Sequence, residues 1–328
     1  MAKMDSNEIE EEYKSISADL TSFENALIEQ LDKLFKDIKL GFPIQHRVKT
    51  LNSIKEKHES KRYTIKKSIQ ELQDLVGFRI ILLFKRDVAS VIKLLEENFD
   101  IVNSYDTSDK LSHDQFGYSS KHLTLKIKKE WLNVPTFRGF ENYTAEIQVR
   151  TLSQHNWAET SNALQYKNET NVPKEILRSI GRLSALLETI DLELERTLSE
   201  REVYISQINL NESNELNIET LKIVLNNCLP ENLERDSENY SGLMRLLAFF
   251  EITKVDELIK VIQHNVQFPD NKNTSKVRFR VGKADSWKSN EMVVITNVSS
   301  LIVLMLLYSD HKKWDEYVKY SEANSFIF

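Results

Sequence analysis

The sequence predicts an α/β (α+β) protein: a mixed β-sheet flanked by helices, followed by a mostly helical C-terminal region. Three observations predict it. Only 7 Gly and 5 Pro occur in 328 residues, which leaves few tight turns and favours long helices. Apolar side chains recur at steps of three and four over 8–40 and again over 173–205. Between these stretches lie short runs rich in β-formers, two of which alternate polar and apolar residues. A composition of 41% hydrophobic and 29% charged residues is that of an ordinary globular chain, long enough to bury a full core.

The first helix is expected over 8–40, with Ile9, Tyr13, Ile16, Leu20, Phe23, Leu27, Leu31, Leu34 and Ile38 on one face and Gly41 and Pro43 as its stop. Residues 44–67 follow, with eight Lys/Arg against two Glu in a chain whose net charge is −6. A basic island in an acidic chain points to a local anion site. This segment is expected to be helical from Lys49 to about residue 61. A strand is predicted at 77–84, then a helix capped by Asp87 with Val88, Val91, Ile92 and Leu95 inward. A second strand is expected at 99–105 and a polar loop at 106–116. Over 118–127, Leu123, Leu125 and Ile127 fall on one face, with Tyr118, Ser120, His122 and Thr124 on the other. Over 143–151, Tyr143, Ala145, Ile147 and Val149 oppose Thr144, Glu146, Gln148 and Arg150. Pro173 can open a helix running to about residue 205, with a seam of Ile176, Ile180, Leu183, Leu187, Ile190 and Leu194. Such a seam is more often core than partner interface, and it also leaves room for a homo-oligomer. Residues 209–215 read as a linker. The expected divisions are therefore 1–43, 44–208 and 216–328, the last helical with a hairpin between 276–281 and 291–295.

Several chemistries are excluded. There is no G-x-x-x-x-G-K-[ST] phosphate loop and no G-x-G-x-x-G. The one cysteine, Cys228, cannot form an intrachain disulfide, and no Cys/His spacing resembles a zinc site. His113-Asp114 lacks the upstream ligands of a metal-dependent hydrolase of the H…HD…D type. The acidic N-terminus has no apolar core, and the longest apolar run, 301–308, falls short of the roughly 20 residues that span a bilayer. A cytoplasmic protein with no membrane partner is expected.

What remains is a set of polar residues on predicted strands. Asp74 precedes a strand, Arg79 lies within it, and Glu146, Gln148 and Arg150 share a face. Carboxylates able to hold Mg²⁺ and several cations are what phosphoryl or pyrophosphoryl transfer requires. Four blocks occur in order: HRVKTLNSIKEK at 46–57, DLVGFR at 74–79, GYSSKH at 117–122 and EIQVRT at 146–151, followed by HNWAE at 155–159 and Tyr166-Lys167. Together they resemble the synthetase domain of the RelA/SpoT family, the (p)ppGpp synthetases. The helix carrying Leu186, Leu187 and Glu188 is also similar to longer single-synthetase members. Residues 216–328 carry none of these blocks.

The resemblance implies a nucleotidyltransferase-like fold and a pyrophosphokinase that moves the β,γ-pyrophosphate of ATP to a nucleotide 3′-hydroxyl. It implies Mg²⁺ on Asp74 and Glu146, with Glu146 assisting the metal or activating the hydroxyl. Arg47 and Arg79 match arginines flanking the ATP adenine, and Lys49 and Lys57 match lysines near its phosphates. Tyr118 matches the tyrosine stacked on the acceptor base, with His122 and Gln148 lining that side. Guanidinium planes do stack on purines, and lysine is a point charge suited to phosphate. Family members that use guanine nucleotides often carry K-x-N-G-Y-R-S, where this chain has Asp114, Phe116 and Ser119; Ser161 and Asn162 stand where an E-H pair is common. The acceptor readings are therefore GDP or GTP, an adenine nucleotide, or the tRNA 3′ end used by the family's toxin branch. A nucleotide-sensing module with a degenerate site is the reading from a different class. In that reading, the C-terminal region would meet a regulatory partner.

Overall fold

The computed structural model describes residues 3–107, 120–163, 173–209, 214–231, 233–235, 239–268, 276–279, 293–295 and 297–323. The chain divides into two compact units, 1–199 and 200–328.

The first unit opens with α1 (Ser6–Leu34), started by a capping box in which Asp5 accepts from the backbone of Glu8 and Glu8 reaches back. Ile9, Leu20, Phe23, Leu27 and Leu31 are buried, as the periodicity requires. The helix ends at Leu34, earlier than the Gly41-Pro43 stop. Sheet pairing draws the chain away: Leu40 bridges Leu82, and the Gly41 N–H donates to Ile81 O at 2.7 Å. A short strand β1 (Gln45–Val48) comes next, then α2 (Leu51–Glu59), β2 (Val76–Leu82), α3 (Arg86–Asn98), β3 (Asp100–Asp106), β4 (Lys121–Lys126), β5 (Ala145–Thr151), α4 (Leu152–Ala163) and α5 (Lys174–Gln207), whose residues from 200 on fall in the second unit.

The five strands form one mixed sheet in the order β1-β2-β5-β4-β3, parallel only between β2 and β5. One face is apolar: Phe78, Ile80, Leu123, Leu125, Ala145, Ile147 and Val149 are buried in a single cluster with the inward side of α1. The other face carries the polar residues of the alternating strands.

Two further expectations for this unit change. Asp87 does not cap α3; the helix starts two residues earlier, at Arg86, and Lys85 at its cap makes no side-chain bond. Glu195 of α5 takes that role, accepting from the Arg86 backbone N–H at 3.2 Å and from the Arg86 guanidinium, which also reaches Ser199 Oγ at 2.8 Å. Glu195→Ala should therefore cost about 1 kcal/mol of stability, the usual worth of a lost helix cap, in urea unfolding of the whole chain. The helix expected from Lys49 is α2, preceded by the short strand β1. Finally, the α5 seam is not core. Leu183 and Ile190 are 47% exposed and Leu194 41%, while the buried side of the helix holds Ser184 and Asp191. Asp191 accepts from Thr151 Oγ1 at 2.6 Å, tying α5 to the end of β5.

The second unit contains α6 (Ile218–Cys228), α7 (Tyr240–Phe249), α8 (Val255–Asn265), β6 (Val266–Gln267), β7 (Lys276–Phe279), β8 (Val293–Val294), α9 (Val298–Ser309) and α10 (His311–Ala323). Its own core gathers Leu221, Leu225, Leu246, Leu258, Leu301 and Met305. The expected hairpin is the β7–β8 pair, extended by β6 into a three-stranded sheet. Arg235 donates to the carbonyls of Leu229, Pro230 and Leu233, satisfying backbone acceptors just beyond α6. Cys228 is half-buried, and burial pushes its thiol pKa up. Among the described residues, no helix is long and apolar enough to cross a membrane.

Candidate functional site

The site is written in the sheet register. Paired residues point to the same face. One row runs Arg47 on β1, Gly77 on β2, Glu146 on β5 and Thr124 on β4. The next runs Gln45, Arg79, Gln148, His122 and, on β3, Tyr105. Gly77 has no side chain, so the sheet surface is bare between Arg47 and Glu146. A cavity of about 140 Å³ opens there, lined by Arg47, Asp74, Gly77, Arg79, Glu146 and Gln148 among others.

Asp74 stands just ahead of β2, where the Lys49 N–H donates to Leu75 O at 2.7 Å and brings the end of β1 alongside. Its Oδ2 accepts from Lys49 Nζ at 2.6 Å and from Lys57 Nζ, on α2, at 2.9 Å. Its Oδ1 is buried and has no hydrogen-bond partner among the described residues. Burial would push the carboxyl pKa up, but the two lysines outweigh it and hold the group below the usual range. A second cleft of about 380 Å³, lined by Lys49, Thr50, Ser53, Lys57 and Arg62, shares Arg47 and Asp74 with the first. Asp74 thus separates an arginine-lined cleft from a lysine-lined one. Thr50 caps α2 there, accepting from the Ser53 N–H, so the positive end of the helix dipole adds to the lysines.

Glu146 is held from the other side. Its Oε1 lies 2.8 Å from His122 Nδ1 and accepts from Tyr105 OH at 3.4 Å; among the described residues, Oε2 accepts only a long 3.4 Å bond from Gln148 Nε2. Burial and the nearby Asp74 charge push its pKa up, and His122 with Gln148 outweighs them, leaving it lowered. The two carboxylates line the same cavity, although they are 72 residues apart in sequence. A lowered carboxylate adds stability above its unfolded pKa and loses it as pH falls through the folded value. Glu146→Gln should therefore be less stable than wild type at pH 7. The difference should narrow below about pH 4, near the unfolded carboxylate value, in thermal unfolding across pH.

The other expected residues are placed as follows. Arg47 has no ion-pair partner among the described residues. Arg79 donates to Glu159 Oε1 at 2.9 Å, which fixes its guanidinium beside α4. Gln148 is packed against Arg150, which also donates to Ser120 Oγ at 3.2 Å. His122 is 8% exposed and bonded to Glu146. Tyr118 lies outside the described residues, as do Asp114, Phe116 and Ser119. Arg62, one of the eight cations of the basic island, lines the second cleft, whereas sequence reasoning missed Tyr105 and Glu159. Glu159 lay within a quoted block, whereas Tyr105 had no signal at all. Among the described residues, no group of three or more His, Cys, Asp or Glu could hold a metal by itself.

Residues 46–171 match the family described as "Region found in RelA / SpoT proteins". The curated GTP pyrophosphokinase YjbM of Bacillus subtilis (strain 168) is 31% identical over 150 residues, covering 45% of this chain and 67% of YjbM. GTP pyrophosphokinase YwaC of the same organism is 29% identical over 158 residues, 45% and 71% of the two chains. Among solved structures, small alarmone synthetase 1 from Bacillus subtilis matches at 27% identity with a TM-score of 0.46, over 57% of this chain and 98% of that one. All four sequence blocks fall within the matched region, and so do both carboxylates and the cations around them: the chain belongs to the RelA/SpoT family.

Proposed function

We propose that the chain is an ATP-dependent pyrophosphokinase that transfers the β,γ-pyrophosphate of ATP to the 3′-hydroxyl of a nucleotide, with GDP or GTP as acceptor. The observation that carries this reading is the meeting of Asp74 and Glu146 at one cleft, with Lys49 and Lys57 set against Asp74. The two relatives named GTP pyrophosphokinase support the acceptor class.

Mg²⁺ fits the donor set. It is commonly held by one or two carboxylates and completes its octahedron with waters and phosphate oxygens. The buried Oδ1 of Asp74, without a partner among the described residues, is the oxygen assigned to it, with Glu146 as second carboxylate. When bound, the ion neutralises phosphate charge as it develops. The remaining work falls to the chain. Lys49 and Lys57 sit on flexible stems and can pivot from Asp74 Oδ2 to phosphate oxygens. Arg47 and Arg79 flank the bare strip at Gly77, where a purine can lie between guanidinium planes. Glu146 accepts the proton of the attacking hydroxyl. The 3′-oxygen bonds to the β-phosphorus, the bond from that phosphorus to the α,β-bridging oxygen breaks, and AMP leaves with the electron pair. Such a step needs mainly alignment and charge neutralisation.

The test offers γ-labelled ATP with Mg²⁺ to GDP, GTP, ADP, ATP and bulk tRNA in parallel. Label on GDP or GTP, with one AMP released per transfer, is the expected result. Label confined to adenine nucleotides would replace the acceptor, and label on tRNA alone would move the chain to the toxin branch. Binding of an α,β-methylene ATP analogue with no label on any acceptor would sink the enzyme reading.

A further inference from the structure

We infer that Tyr105 is a positioning residue for Glu146, acting through His122; this rests on the reading above that Glu146 serves the transfer step. The Tyr105 and His122 rings are stacked, with centroids 4.8 Å apart and planes 20° from parallel. The Tyr105 hydroxyl lies 3.2 Å from His122 Nδ1 and 3.4 Å from Glu146 Oε1, and Nδ1 is 2.8 Å from the same Oε1.

The hydrogen-bond chemistry orders these three groups. An ionised carboxylate only accepts, so the proton of the His122–Glu146 bond sits on Nδ1. A protonated Nδ1 cannot accept, so the tyrosine hydroxyl donates to Oε1. Both donors fall on Oε1. Oε2, with one long bond from Gln148 among the described residues, is the oxygen left to serve the metal or the reacting hydroxyl. The His122 ring cannot hold this pose through its far side, because Nε2 is buried without a partner among the described residues. The face of Tyr105 supplies the missing restraint on the ring plane, and the ring in turn aims Nδ1–H at the carboxylate. Among the described residues, the charged and titratable groups around Glu146 are His122 on β4, Tyr105 on β3, Asp74 ahead of β2 and Arg47 across Gly77 on β1.

A backbone irregularity puts Tyr105 there. β3 pairs with β4 as Ile101↔Leu125 and then Asn103↔Thr124, leaving Val102 as an extra residue. Without that bulge the register would continue with Ser104 opposite His122. With it, Tyr105 takes that place and its side chain turns to the site face. Bulges beside active sites re-aim side chains in this way.

The experiment compares wild type, Tyr105→Phe, Tyr105→Ala and Glu146→Gln in the full chain. ¹⁵N NMR of the histidine rings, at one fixed pH, reads the His122 tautomer. Steady-state transfer from ATP, with whichever acceptor takes label, reads kcat and KM. In wild type, His122 should show a single Nδ1–H form. Tyr105→Ala should mix the tautomers and lower kcat about 10- to 100-fold, the usual loss for an outer partner of a site residue, with the KM for ATP within about twofold. Tyr105→Phe keeps the stack and should restore part of both. An unchanged His122 ring and kcat in Tyr105→Ala would overturn the inference while leaving the proposed function intact. So would a loss of ATP affinity in step with kcat. Full transfer by Glu146→Gln would overturn the role of Glu146, and this inference with it.

Discussion

Asp74→Asn is expected to lower pyrophosphate transfer about a thousandfold, since a carboxylate on a catalytic cation contributes several kcal/mol of charge stabilisation and each 1.36 kcal/mol is tenfold in rate. The physical reason lies in what Asp74 balances. Lys49 and Lys57 both donate to its Oδ2 within 2.9 Å. An amide in its place carries no charge, so both lysines would lose their counterion whichever of its two atoms they faced. The substitution thus removes the oxygen assigned to the metal and disperses the cations assigned to phosphate. The expected signature is a collapse of kcat, with an α,β-methylene ATP analogue still bound because the lysines and Arg47 remain. Initial-rate measurements and calorimetry with the analogue check it. Wild-type turnover by Asp74→Asn would remove the carboxylate from the reaction.

The second large effect is expected at a residue with no side chain. Gly77 lies between Arg47 and Glu146 in the cross-sheet row, and its backbone is ordinary strand. A Cβ built there would meet nothing nearer than Glu146 O at 4.0 Å. The fold therefore accommodates a side chain, and a β-branched one suits the strand better than glycine. Gly77→Val should keep or raise the melting temperature. Its methyl groups, however, would stand on the floor of the cavity of about 140 Å³ shared by Arg47, Asp74 and Glu146. Forcing extra carbons into an occupied site costs about 3 kcal/mol, roughly a hundredfold in affinity. The ATP analogue should bind about that much more weakly to a protein that unfolds no sooner. Tight analogue binding by Gly77→Val would show that the nucleotide does not lie across this strip. Few substitutions separate stability from binding so sharply, because few cleft floors are left bare by one missing Cβ.

Much of the site could be read from local pattern. Alternation along 143–151 put Glu146 and Gln148 on one face, and the same rule put His122 and Thr124 together on β4. Strict period-two patterning survives folding because one face must be buried. Other features had no local signature. β1 is a polar four-residue edge strand, Gln45–Val48, with no buried side chain, so nothing in its hydrophobicity marked it as a strand. The stop of α1 was misplaced because a bridge to Leu82 competed with helix propagation. The α5 heptads said that a face is apolar, but not whether anything in its own unit covers it.

The amino-acid order by itself determined which side chains share a strand face or a helix face, and it carried the ordered blocks that mark the family. Those follow from backbone periodicity and identity, both of which are local. Only the tertiary structure decided which faces meet. It alone brought Asp74 beside both lysines and near Glu146, left Asp74 Oδ1 without a partner among the described residues, and used one extra residue at Val102 to aim Tyr105 rather than Ser104 at His122. Those outcomes depend on strand register and on contacts spanning up to 72 residues, which the free energy of the whole sheet selects and no single segment encodes.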